Sequence, residues 1–433
     1  MNRFYLFFFA FFFVSFIDAS HAQMRIIQDT EIEYVVGKLV APLATAAGIE
    51  RDRLRIFIVE NDEFNAFVRA GEDIFIHTGL IAQIENPLAF QAVIAHELGH
   101  VVAGHVARLT EQMRTEMTRS MIVTALGVSM AALGGNPAAG IGVVAGGQQM
   151  ARAGIAAHTR DEERMADAHA VDLMVRAGLD PYGMVMVLRQ MNEDSFAREA
   201  FANPYRMRHP FTSERLRDVR EKIRQIERPN QNQVRYQTEY NLIRAKIIGY
   251  LSTAERVRTI FPTSNTTDAA IYARAIMNMR AGNLSAAETG ARTLISRHSS
   301  NPFFFELLGD IMYRYGRYDD SVRAYERALE LRPNSPLIQI ALAIVLAERQ
   351  RPGDAARAAE LSRRVLLTRR MAMAYWTLSK AEAAMGNTGV SHWAMAEFYN
   401  MRGNRTRARE LARRAQRNLP RNSPEWIRAG ELL

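Results

Sequence analysis

The 433-residue chain has no cysteine. That excludes disulfides, thiolate metal ligands and anchoring through a lipidated cysteine. Its first apolar run, Phe4 to Ile17, is also short for a membrane span, which takes about 20 residues. Arg3 precedes it and Ser20-His21-Ala22 follows it. That order reads as a secretory leader, residues 1–22, removed on export. An exported chain without disulfides points to a bacterial periplasm. A third absence is charge between Arg119 and Arg152. The net charge of +9, carried mainly by arginine, favours acidic partners or an anionic membrane surface. The secretory start argues against nucleic acid. Length suggests two or three domains, and 48% hydrophobic residues supply sizeable cores.

One stretch concentrates chemistry. Residues 91–100 read Gln-Ala-Val-Ile-Ala-His-Glu-Leu-Gly-His, and Phe90, Val93 and Ile94 space as one apolar helix face. Positions four apart share a side of a helix. His96 and His100 therefore aim at one ion, with Glu97 beside it. A zinc hydrolase needs two neutral imidazole ligands and a carboxylate that takes a proton from water. It also needs a third protein ligand. Residues 160–169, followed by Val171, Leu173, Met174 and Val175, read as a second helix. On it Glu163 and Asp167 are again four apart. Glu163 can complete the ligand set, and Asp167 can accept the other ring N–H of a ligand histidine. Taken alone, Glu163 stands in an acidic-basic run, Arg160 to Arg164, where a solvated charge is the default. His105 falls about 140° round the helix from His100. It is read as structural, and His169 likewise.

The His-Glu-Leu-Gly-His motif, His105 and the later Glu-x-x-Ala-Asp together resemble the zinc peptidase family of the CAAX prenyl proteases and HtpX. Asn65-Ala66-Phe67 and His209-Pro210 match by position. The resemblance implies one Zn2+ per chain, held by His96, His100 and Glu163, with Glu97 as general base and Asp167 in support. It also implies that His209 lies close to the metal. There His209 either stabilises the oxyanion of a tetrahedral intermediate or occupies the open position and holds the enzyme latent.

Around this core, residues 26–49 read as a helix, and 55–59 and 73–78 as strands, with a turn at Asn65-Ala66-Phe67 and Gly71. An edge strand can pair with extended substrate; the resemblance places it at Ile74 to Thr78. A single crossing by the uncharged stretch would put His96 and Glu163 on opposite faces of a bilayer. Two crossings need about 40 residues, more than it offers. Two short apolar helices, 121–133 and 141–151, beside the cleft are expected instead, with peripheral membrane contact an open role. Residues 181–191 and 213–226 read as further helices, and Pro229 to Gln233 as a boundary. One connecting helix, 240–260, then leads to Pro262.

The remainder repeats. Phe305, Leu308, Gly309, Gly316, Ser321, Tyr325, Ala328 and Pro333 fall at tetratricopeptide offsets. Gly282 and Ala287 match one period earlier. Ala396, Tyr399, Gly403, Ala408, Ala412, Ala415 and Pro420 match later. Such units stack into an array that docks protein segments. Its arginines, Arg363, Arg364, Arg369 and Arg370 among them, form a solvated face or meet an acidic partner.

The expected architecture is mainly α (α+β). A leader (1–22) precedes a helical zincin-type peptidase domain with a small sheet (23–228). A linker and connecting helix (229–264) join it to an α-solenoid of tetratricopeptide repeats (265–433). The expected function is that of a periplasmic zinc metalloendopeptidase. For the branch of the family that joins peptidase to repeats, the resemblance implies quality control of outer-membrane β-barrel proteins. Its partners would be unfolded or misassembled protein substrates and, through the repeats, the β-barrel assembly machinery. Two alternatives stand: a non-proteolytic adaptor or chaperone with a structural zinc, and a membrane-associated protease.

Overall fold

The computed structural model describes residues 13–17, 24–50, 53–69, 73–105, 108, 159–193, 205, 208–226 and 236–433. The uncharged stretch with its two expected apolar helices lies outside them, as do Gly71 and residues 229–233. The chain divides into two compact units. One is Met1–Tyr34 with Asn241–Leu433; the other is Val35–Tyr240.

Strand β1 (Phe13–Ile17) pairs antiparallel with β2 (Met24–Gln28). β1 lies inside the segment expected to leave as a leader. The helix expected from Ile26 instead begins at Thr30, as α1 (Thr30–Ala46). Asp29 sets that start: its Oδ1 accepts from the amides of Glu31 at 3.0 Å and Ile32 at 2.9 Å, the geometry of a helix N-cap. The consecutive isoleucines before it favour strand.

In the second unit, β3 (Arg55–Val59), β4 (Ala66–Arg69) and β5 (Asp73–His77) form a sheet segment. β5 runs parallel to β3 and antiparallel to β4. β5 is therefore central, and the edge expected at Ile74–Thr78 is corrected to β4 among the described residues. Burial gives the reason. Ile74, Phe75, Ile76 and His77 are buried in succession, whereas Ala66 to Arg69 alternates; strands covered on both sides show continuous burial. His77 N donates to Asn65 O at 3.0 Å. Antiparallel alternation then turns the backbone N–H and C=O of Ala66 and Val68 to the open edge. After α2 (Thr78–Gln83) comes α3 (Pro87–Val102), opened by Asn86, which accepts from Leu88 N at 2.8 Å, with Pro87 in its first turn. Helix α4 (Arg160–Arg176) starts with a capping box between Thr159 and Glu162. α5 (Tyr182–Glu193) and α6 (Ser213–Arg224) follow.

The first unit continues with helices. α7 (Gln237–Leu251) and α8 (Ala254–Ile260) replace the single helix expected over 240–260. The Thr253 hydroxyl accepts from Arg256 N at 3.2 Å and starts a new helix there. Five further pairs follow: α9 (Asp268–Arg280) with α10 (Leu284–Arg297), α11 (Pro302–Arg314) with α12 (Tyr318–Leu331), α13 (Pro336–Arg349) with α14 (Asp354–Thr368), α15 (Ala372–Ala384) with α16 (Thr388–Met401), and α17 (Arg405–Asn418) with α18 (Pro424–Gly430). The period-marking glycines Gly282, Gly316 and Gly403 have φ of +84°, +72° and +74°. They close helices in the left-handed conformation that glycine tolerates.

A buried polar network ties this unit together. Lys246 Nζ reaches Asp29 Oδ2 at 2.8 Å and Glu31 Oε2 at 3.3 Å. Tyr250 and Tyr325 both donate to Asp310. Burial pushes the Glu306 carboxyl up to about 8, against the opposing charge of Lys246. It raises Asp310 to about 6, against the hydrogen bond from Tyr325. In the unfolded chain such groups titrate near about 4. The folded state thus holds the extra protons between these limits. The associated stability is full below about pH 4 and is lost as pH rises through about 6 and then 8. Thermal melts at about pH 5, 7 and 9 are expected to show a falling midpoint, and Glu306→Gln to flatten the upper part of that fall.

Candidate metal centre

Three elements carry the site. Helix α3 presents His96, Glu97 and His100, all buried; α4 presents buried Glu163 and Asp167; and the segment before α6 brings in buried His209. α3 and α4 approach closely because position 99 is glycine. A Cβ there would lie 2.5 Å from the carbonyl oxygen of Ala166. That contact brings the turn bearing Glu163 against the turn bearing both histidines.

The donor atoms converge. His96 Nε2 and His100 Nε2 are 3.2 Å apart. Glu163 Oε2 lies 3.4 Å from His96 Nε2, and Oε1 lies 3.3 Å from His100 Nε2. His209 Nδ1 is 3.2 Å from His96 Nε2 and 2.9 Å from Glu163 Oε1. A tetrahedral zinc with ligands at about 2.0–2.1 Å has donor–donor edges of about 3.3 Å. The set of His96, His100, Glu163 and His209 could hold a metal ion, and its spacing fits one.

Surrounding groups fix the orientation of that set. His96 Nδ1 lies 2.9 Å from Asp167 Oδ1. Donation there leaves Nε2 as the lone-pair nitrogen facing the centre. Arg215 grips Asp167 with two hydrogen bonds, Nε to Oδ2 at 2.7 Å and Nη2 to Oδ1 at 2.8 Å. Its Nη1 lies 2.7 Å from Glu163 Oε2, yet its N–H is directed to Pro210 O at 2.9 Å. Glu163 Oε2 therefore gains charge compensation and accepts no hydrogen bond, and Glu97 Oε1 is a second buried oxygen without one. Buried carboxylate oxygens in that state are costly unless a cation completes them.

The electrostatics agree. Burial opposes ionisation of Glu163, but the charge of His96 and hydrogen bonds from His100 and His209 hold its carboxyl well below the usual range. Burial likewise opposes ionisation of Asp167, and Arg215 outweighs it. Burial disfavours a charged His96, yet Glu163 and Asp167 raise it to about 10. The pocket calls for positive charge at its centre, and metal binding to such a set releases protons.

All six residues expected at the site, His96, Glu97, His100, Glu163, Asp167 and His209, are brought together. His169 stays outside the four-donor cluster. His105 also stays outside it, though not for the reason helix geometry suggested. α3 ends at Val102, and Gly104 with φ +72° turns the chain. His105 returns beneath His100, Nδ1 to Nδ1 at 3.0 Å. Arg215 and Tyr205 were not anticipated. Arg215 shares the buried face of α6 with Val219 and Ile223, a four-residue spacing visible in the sequence. Tyr205 packs its ring 4.5 Å from that of His209, and its carbonyl accepts the His209 amide at 2.8 Å.

Fold and site define the class: a metallopeptidase joined to a helical repeat array. Residues 28–223 match the model of Peptidase family M48, and residues 309–349 match the TPR repeat. The chain is homologous to the Beta-barrel assembly-enhancing protease of Escherichia coli, 26% identical over 386 residues, which covers 87% of this chain and 77% of the relative. The protein of that name from Yersinia pestis is 25% identical over 425 residues, 94% of this chain and 84% of its own. Metalloprotease YcaL of Escherichia coli is 26% identical over 191 residues, covering 43% and 70%. Among the described residues no helix is long and apolar enough to cross a membrane.

Proposed function

We propose that this chain is a zinc-dependent endopeptidase of the periplasm that acts on unfolded or misassembled outer-membrane proteins. The observation that carries the reading is the convergence of His96, His100, Glu163 and His209 beside Glu97. Residues 23–228 carry the chemistry, 229–264 connect, and 265–433 dock protein segments, including the β-barrel assembly machinery. The names of the relatives, which refer to β-barrel assembly, support that substrate class.

His96, His100 and Glu163 hold the metal in this reading. The bound ion supplies Lewis acidity toward water and the scissile carbonyl. Glu97 takes the proton from the attacking water and delivers it to the leaving amine nitrogen. Asp167 and Arg215 keep His96 and Glu163 in position. The open backbone groups of Ala66 and Val68 on β4 accept an extended substrate strand. His209 has two roles in prospect, and the distances favour one. Nδ1 sits at tetrahedral-edge spacing from His96 Nε2, while Nε2 is 3.5 Å from Glu97 Oε1. His209 would then take the fourth position about a bound ion while facing the base, which describes a latched resting state. Opening requires His209 to move away from Glu97.

Cleavage of an unfolded protein by the purified full chain tests this. His209→Ala is expected to cut about tenfold or more faster than wild type if the latch limits turnover. A fall in rate instead assigns His209 to oxyanion stabilisation.

A further inference from the structure

The repeat unit already holds a peptide-like segment, and that segment is its own. Asp29, Glu31, Glu33 and Tyr34 lie at the start of α1 and belong to the same compact unit as the array. Lys246 of α7 bridges Asp29 and Glu31. Tyr272 of α9 donates to Glu31 Oε2 at 2.7 Å. The Thr30 hydroxyl donates to Glu306 of α11 at 3.2 Å. Arg369, at the C-terminal end of α14, makes a two-pronged contact with Glu33, Nη1 to Oε2 at 2.9 Å and Nη2 to Oε1 at 3.1 Å. Arg332, at the end of α12, places its guanidinium 4.1 Å from the Tyr34 ring centroid and 5.7 Å from that of Phe303.

Alternate helices and the ends of two others thus converge on six residues from the far end of the sequence. The contacts are of the kinds that discriminate: a paired guanidinium–carboxylate, a cation between aromatic faces, and a buried amine between two carboxylates. Several other arginines of the array, such as Arg357, Arg364, Arg370 and Arg407, pair with glutamates of the array itself. Arg369 meets the segment.

We infer that Lys246, Tyr272, Phe303, Arg332 and Arg369 form a recognition site for an acidic helical turn closed by an aromatic residue. Asp29–Tyr34 is its resident occupant, and a partner protein presenting such a turn docks by displacing it. The inference rests on the reading of the array as a docking surface. A tethered occupant holds its place through effective concentration rather than high intrinsic affinity, so a partner with additional contacts can replace it.

The test uses the full chain and a fluorescent synthetic peptide spanning residues 29–38, read by anisotropy. Glu33 and Tyr34 are half-buried, so Glu33→Arg with Tyr34→Ala weakens the occupant without hollowing the core. The peptide is expected to bind this double variant about tenfold more tightly than wild type. Adding Arg369→Glu is expected to remove the gain. Equal binding to wild type and double variant, or binding indifferent to Arg369→Glu, overturns the inference. Should circular dichroism show the double variant unfolded, hydrogen exchange of the 29–34 amides decides. It rises in Arg369→Glu and returns to wild-type rates when Glu33→Arg is added; unchanged exchange in the single variant overturns the inference. Peptide binding that fails while the array still captures an unfolded protein refutes the inference alone, whereas loss of both refutes the docking reading.

Discussion

Glu97→Gln is expected to lower cleavage of an unfolded protein by about 10²–10⁴-fold, the usual worth of a positioned general base, while the bound metal stays. Glu97 is not among the four converging donors, so its amide leaves the ligand set whole. It is buried, its Oε1 has no hydrogen-bond partner, and the His209 ring faces it at 3.5 Å. An amide of the same size accepts no proton at neutral pH, so the step that needs a base fails while the helix packs as before. Steady-state cleavage and metal content measured on the same preparation check both halves. Undiminished cleavage in Glu97→Gln would remove it as the base. If cellular function survived while cleavage was lost, the adaptor reading with a structural metal would take its place.

The second large effect is on stability. Arg215→Met is expected to cost about 3–5 kcal/mol, because it strips the counter-charge from two buried carboxylates. Asp167 loses the two hydrogen bonds from Arg215, and Glu163 loses its 2.7 Å ionic contact. Methionine fills much of the volume but compensates no charge. The pair Arg217–Asp218, at 3.4 Å with the arginine 71% exposed, is the control. Exposed pairs contribute little, and Arg217→Met should leave the unfolding midpoint nearly unchanged. Urea unfolding of the two variants distinguishes the cases, and equal midpoints would refute the role given to Arg215.

How far the site was legible follows from where each residue sits. His96 and His100 were readable because they lie four apart on a helix; Glu163 and Asp167 share that spacing, but only the family resemblance lifts Glu163 above a solvated charge. The near contact of the two helices was not readable, since it depends on Gly99 meeting the Ala166 backbone. His209 has no periodic signal; only the family resemblance pointed to it. His105 defeated helix geometry because the helix had ended and a left-handed glycine turned the chain back. The edge strand was misplaced because the short apolar run Ile74-Phe75-Ile76 reads alike at a centre or an edge, and pairing decides between them. Arg215 looked like its exposed neighbours Arg217 and Arg224. The repeats were legible as a period, whereas the segment they hold was not, because nothing local joins Glu33 to Arg369.

Metal content of the purified full chain, by atomic emission, tests the central claim most directly. The account predicts one zinc per chain in wild type and in Glu97→Gln, and loss of zinc in Glu163→Gln. Zinc retained at full stoichiometry in Glu163→Gln would contradict it.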